Sequence, residues 1–166
     1  DALKRRNIAN VVECSLFDGY STPYEDKRFD LAILSHVLEH VEHPRKLLYE
    51  LRRVARYLFV EVPLEATYRQ PKDFVIDAVG HINFYTPTTI RQLLQSSGYT
   101  VLQQAVINPS RPVYTFQSGT RGALHHLVKS SLLTVMPRLA TELFTYHSAL
   151  ICEDGGDIEI PRMGSH

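Results

Sequence analysis

Three features of the sequence predict an α/β fold with a mostly parallel sheet and helices on both faces. Phe29–Ser35 and Tyr57–Val62 are short, continuous apolar runs, the pattern of strands buried on both sides. Between them, Pro44–Arg56 places Leu47, Leu48, Leu51, Val54 and Ala55 at helical spacing. Strand, helix and strand in that order make a parallel pair joined by a right-handed crossover.

The remaining elements follow in order. Asp1–Arg6 has helical composition and stops at Asn7, and Ile8–Cys14 is a short β-like run. Ser15–Lys27 is a polar loop with glycine and proline. Pro44 suits the first turn of the helix, and Arg52, Arg53 and Arg56 sit at the negative end of its dipole. Pro63 ends the second strand, and Leu64–Phe84 is a loop too long for a plain connection. Thr86 and Pro87 read as N-cap and first-turn proline of a helix with Ile90, Leu93 and Leu94 on its buried side, stopped by Gly98. Tyr99–Ile107 is strand-like, Asn108–Gly122 a second long loop, Ala123–Met136 a helix and Phe144–Cys152 a last strand. Residues 1–154 form one domain, and Gly155–His166 read as a tag-like tail.

The totals limit the choice of function. The 166 residues are enough for one domain with a core, and 44% are apolar. Eighteen basic and eighteen acidic residues cancel, so no nucleic acid and no anionic lipid is the expected partner. Five Arg or Lys residues lie on Pro44–Arg56, but Glu50 interrupts them, and a solvated basic face is the plain reading. No apolar run approaches a membrane span, and there is no signal peptide. Cys14 and Cys152 make neither a disulfide framework nor a zinc ribbon, and reduced thiols in a cytoplasmic protein are expected.

Chemistry in such sheets lies beyond the carboxyl ends of the strands. There the sequence has SHVLEHVEHP, with His36, His40 and His43 within eight positions and Glu39 among them. H-x-x-E-H has the order of an inverted zincin motif. That motif needs one long helix, whereas Pro44 starts a new helix four residues after His40. No downstream Glu or His stands at a spacing that points to a third ligand. The expectation is therefore polar residues lining a cleft, with no metal bound; a metal-dependent hydrolase using His36, Glu39 and His40 is the rival.

The stretch PYEDKRFDLAILSHVLEHVEHPRKLLYELRRVARYLFVEVPLE resembles the second half of a class I S-adenosylmethionine-dependent methyltransferase. It is closest to the small-molecule group with SHVLEHV-x-x-P after the fourth strand. GHINFYTPTTIRQLLQSSGYTV resembles that group too, in its GH-x-x-x-(F/Y) segment and the following helix. The likeness covers about residues 1–107. It departs in lacking the glycine-rich motif of the first strand and the acid ending the second, and in passing from helix to strand without a Pro-Gly-Gly turn.

The resemblance implies a Rossmann-like methyltransferase sheet entered at the helix after its second strand, with the first two strands missing. It implies S-adenosyl-L-methionine as cofactor and a small-molecule methyl acceptor. Asp18 matches the acid that meets the adenine amino group, flanked by Phe17 and Gly19. Ser35 and His36 match the strand end facing the methionine part, with Val37 and His40 lining the same cleft. Glu61 and Pro63 end the next strand on the substrate side, and His81 comes from the loop over the acceptor. His81, then His40, is the candidate general base. The plain alternatives are a turn aspartate at Asp18, a packing histidine at His81 and a strand-end acid paired with an arginine at Glu61. A non-catalytic remnant acting as an interaction module is the second reading of the whole chain. With two strands missing, Phe29–Ser35 becomes an exposed edge. This chain alone is then expected to bind the cofactor weakly or not at all, and to self-associate through that edge.

Overall fold

A computed structural model describes residues 10–70 and 80–156. Strand β1 (Phe29–Ser35), helix α1 (Pro44–Val54) and strand β2 (Ala55–Leu64) form the expected unit. The two strands are adjacent and parallel, in register from Phe29 opposite Ala55 to Ser35 opposite Glu61. Pro44 lies in the first turn of α1, and Arg52 and Arg53 in its last. Ala55 is already extended, so the helix runs straight into β2 and Arg56 belongs to the strand.

Helix α2 (Pro87–Gln95) opens on a reciprocal cap. The Thr86 side chain accepts from the Thr89 amide, and the Thr89 hydroxyl accepts from the Thr86 amide. Gly98, at φ +93°, turns the chain into β3 (Tyr99–Ile107), and a Cβ there would collide with the Arg52 guanidinium. Helices α3 (Arg111–Val135) and α4 (Pro137–Leu143) lead to β4 (Tyr146–Asp154).

The sheet order is β1-β2-β4-β3, and it corrects the expected mostly parallel sheet. β4 lies antiparallel to both β2 and β3, so two of the three pairings are antiparallel. β1, β2 and β3 still share one direction. A single reversed strand inserted at an inner position changes the balance, and an apolar run does not reveal its direction.

Other expectations change as well. Asp1–Arg6 lies outside the described residues, as do Ile8 and Ala9 of the β-like run. Val11–Cys14 forms no strand, and Val11 and Val12 are exposed. The loop expected over Asn108–Gly122 is mostly helix. Pro112 sits in the first turn of α3, where its missing amide is harmless, and Gly119 at φ +56° breaks that helix without ending it.

The core lies on one face of the sheet. Leu34, Leu58, Val60, Val62 and Leu150 pack there against Leu47 and Leu48 of α1, Ile90 and Leu94 of α2 and Ala140 of α4. The opposite face pairs Leu31 with Tyr57, Ile33 with Phe59, and Phe59 with Ile151. Leu31 is 46% exposed, Ile33 64%, Tyr57 45% and Ile151 43%. Among the described residues, no helical layer covers these side chains, contrary to the expected two-faced cover.

Two polar clamps close the ends of this layer. Asp154 accepts from Lys27 and Arg52, each at 2.6 Å. Burial alone would raise its carboxyl, but these bonds outweigh burial and hold it at about 2. Glu50 takes Arg53 at 2.7 Å and both the amide and hydroxyl of Thr22, tying the loop before β1 to α1. No described helix is long and apolar enough to cross a membrane.

Candidate functional site

The carboxyl ends of β1 and β2 meet at one edge of the sheet. Ser35 Oγ lies 3.2 Å from Glu61 Oε2, and the His36 amide donates to the Glu61 carbonyl at 3.0 Å. His36 then adopts φ +54°, a left-handed conformation that non-glycine residues rarely take. The chain leaves the strand direction here, and residues 38–40 form a turn rather than a helix. His36 and His40 therefore do not share a helix face.

The turn is fixed from behind by the GHINFY segment. Ile82 and Asn83 amides donate to the Glu39 carbonyl at 2.9 and 3.0 Å. The Asn83 side chain donates to the carbonyls of Leu38 and Val41, and the Tyr85 hydroxyl to that of Leu38. Burial, with Glu39 nearby, pushes the Tyr85 hydroxyl well above its ordinary range, so it stays a donor. These bonds bring His81 beside His40, with ring centres 4.7 Å apart. His81 Nδ1 lies 2.7 Å from Glu65 Oε2, and His40 Nδ1 3.3 Å from the Gly80 carbonyl.

Two groups of potential ligand atoms result among the described residues. One is His36, Glu61 and His147; the other is Glu39, His40 and His81. In the first, His147 Nδ1 lies 2.9 Å from Glu61 Oε1, and the two imidazole rings are 4.8 Å apart. The hydrogen bond from His147, helped by that from Ser35, holds the Glu61 carboxyl below its usual range. Glu61 is thus paired with histidine, not with an arginine. Glu39 joins the groups, since its Oε1 lies 3.1 Å from His36 Nδ1. His36, Glu39 and His40 do not converge on one point as a hydrolase triad would require.

The residues expected around a cofactor divide. Ser35, His36 and Val37 stand together at the carboxyl edge. Phe17 instead lines a cavity of about 290 Å³ with Pro23, Tyr24, Phe29, Leu31 and Leu51, beside the first half of β1. Asp18 is exposed and forms a turn, its Oδ1 accepting from the amides of Tyr20 at 2.7 Å and Ser21 at 2.9 Å. Those bonds hold its carboxyl below the usual range. Gly19, at φ +88°, completes the turn, and a Cβ there would meet nothing within 4 Å. Its backbone freedom matters, while no close approach requires a glycine.

His147 and Glu65 were not found from sequence. Each lies far along the chain from its histidine or carboxylate partner, and neither falls in a motif. Cys152 is buried, and burial pushes its thiol up to about 12; Cys14 is half-buried, and both are free thiols.

Comparison with known proteins follows the same outline. Solved structures with this fold include the cyclase SpnF, at 17% identity and TM-score 0.59, covering 92% of this chain and 60% of that one. A geranyl diphosphate methyltransferase solved with GPP and sinefungin aligns at 14% identity and TM-score 0.60, covering 90% of this chain and 56% of that one. A methyltransferase-like protein from Bacillus halodurans aligns at 14% identity and TM-score 0.54, covering 93% and 76%. The chain thus spans about three fifths of the length of the first two. No curated protein matches significantly in sequence. A family model described as a methyltransferase domain matches residues 4–104, well over half of the chain, and the chain belongs to that methyltransferase-domain family.

Proposed function

We propose that this chain serves S-adenosylmethionine-dependent methyl transfer to a small-molecule acceptor. The observation that carries the reading is the meeting, at one sheet edge, of the Ser35–Val37 strand end with the His40–His81 pair. A donor site and an acceptor site must adjoin for in-line transfer, and the closeness of these two groups supports assigning the donor to one and the acceptor to the other.

The residues present fit the cofactor in part. Asp18 is ionised, and its Oδ1 is fixed by two backbone amides, leaving Oδ2 to meet an adenine amino group. The Ser35–Val37 backbone, bent by the left-handed His36, is placed for the methionine part. No G-x-G occurs in the 166 residues, so no glycine loop of this chain takes part. When bound, S-adenosylmethionine supplies a methyl group activated on a sulfonium. The protein then has to orient the acceptor, exclude water and accept a proton where the acceptor is a hydroxyl. His81, backed by Glu65, is placed to take that proton, with His40 second.

Fold likeness alone does not decide the reaction, since the cyclase SpnF shares the architecture. Calorimetric titration with S-adenosylhomocysteine tests the reading. Binding is expected that Asp18→Ala weakens and His81→Ala leaves unchanged. Affinity indifferent to Asp18, or lost with His81, contradicts the assignment.

A further inference from the structure

Glu39 is fully buried, at 0% exposure, yet among the described residues its Oε2 has no hydrogen-bond partner. A buried carboxylate oxygen left unpaired is costly, because its lost hydration is not replaced. The Glu39 carbonyl is pinned by the amides of Ile82 and Asn83, and its Oε1 is occupied by His36. Oε2 is therefore available among the described residues to a cation.

The surroundings select a cation. One potential ligand atom from each of Glu39, His40 and His81 lies within 4.8 Å of the others. Donors around a tetrahedral zinc-sized ion stand about 3.3–3.6 Å apart when each bond is about 2.0–2.2 Å, so side-chain rotation of roughly 1 Å at the donor atoms closes the set. Each member also has a partner behind it. His81 Nδ1 rests on Glu65, His40 Nδ1 on the Gly80 carbonyl, and Glu39 Oε1 on His36. Metal-bound histidines regularly have such outer partners, which fix the ring and its tautomer. Among the described residues, the cluster consists of one carboxylate and two imidazoles.

We propose that Glu39, His40 and His81 bind one divalent transition-metal ion of the zinc or cobalt type. Two imidazoles and a carboxylate are a borderline donor set that favours such ions over magnesium or calcium. His40 is exposed, so a coordination position faces outward, towards water or an acceptor. The expectation of no metal rested on the lack of a third ligand at a suitable spacing, and the fold brings that ligand, His81, from the GHINFY segment. The inference stands on the geometry of the cluster and not on methyl transfer. It does change one role: with an ion bound, His40 and His81 would be ligands rather than bases, and the ion would lower the pKa of a coordinated acceptor hydroxyl, whose proton would pass to solvent water.

The test is calorimetric titration of the chelator-treated protein with zinc chloride, repeated with cobalt chloride and followed by visible absorption. One ion per chain is expected. Glu39→Gln and His81→Ala should each weaken binding by at least about 100-fold, and Glu65→Gln by about 10–100-fold as an outer partner. His147→Ala should leave binding unchanged. Glu39→Gln should also melt no lower than the unaltered protein when metal-free, because the amide has the same shape and can keep the contact with His36. If it does melt lower, His81→Ala alone decides. No saturable binding, or binding lost with His147 and kept with Glu39→Gln and His81→Ala, overturns the site. Loss of zinc binding with cofactor affinity intact touches only the metal assignment, and absent cofactor binding with zinc bound touches only methyl transfer.

Discussion

The proposed chemistry at the carboxyl edge falls on single side chains that can be separated experimentally. His81→Ala is expected to lower turnover about 10²–10⁴-fold, the usual contribution of a group handling the acceptor proton, with little change in cofactor affinity. Steady-state kinetics with a responsive acceptor measures this, and unchanged turnover leaves His81 a packing residue. Glu50 offers a different test. Its hydrogen bonds from Arg53 and Thr22 lower its carboxyl from 4.5 to about 2. A carboxyl lowered by folding stabilises the protein above its unfolded value and loses that contribution as pH falls towards the folded one. Melting temperature should therefore fall between about pH 4.5 and pH 2, and Glu50→Gln should flatten that part of the profile. An identical acid profile in the variant would show that the Thr22 loop is held by other contacts. At this scale the motifs SHVLEH and GHINFY were legible as residue types, while their grouping was not. His36 and His40, four apart in sequence, join different clusters because the left-handed turn at His36 points the chain away from β1. Glu65 and His147 reach the site only through tertiary contacts, which spacing does not encode.

The elements show which patterns a sequence states plainly. The β1–α1–β2 unit was readable because both strands are continuous apolar runs and α1 has a clean apolar stripe, although β1 is not buried on both faces as its composition suggested. α2 was marked by Thr86, Pro87 and Gly98. α3 was half-hidden, since Pro112, Gly119 and Gly122 look like loop formers, whereas one starts the helix and another only breaks it. The direction and inner position of β4 left no mark in its composition. Two predictions belong here. Gly98→Ala places a Cβ against the Arg52 guanidinium in a left-handed conformation and should cost about 1–3 kcal/mol, read as a lower denaturant midpoint. A midpoint equal to that of the unaltered protein would mean that Arg52 moves aside freely. β1 is an edge strand with Leu31 and Ile33 exposed, and self-association through it is expected. Sedimentation velocity should show mass rising with concentration, and Ile33→Lys should hold the protein monomeric. A monomer at all concentrations, or association indifferent to Ile33, assigns that face no such role.

The whole molecule is a mixed four-stranded sheet with its core on one face and its candidate chemistry along one edge. Family membership follows from the match over residues 4–104, and the likeness to solved structures concerns the fold. The proposed reaction, cofactor and acceptor class rest on what that edge brings together: the Ser35–Val37 strand end, the His40–His81 pair and the buried Glu39. The central claim is that S-adenosylmethionine binds at the Ser35–Val37 strand end. Titration of ¹⁵N-labelled protein with S-adenosylhomocysteine, followed by amide chemical shifts, tests it most directly because even weak binding is mapped to residues. Saturable shifts are predicted at Ser35, His36 and Val37, with a second group at Asp18–Tyr20 and none along α3. Absent shifts at the strand end, or shifts confined to the Phe17 cavity or α3, would contradict the claim.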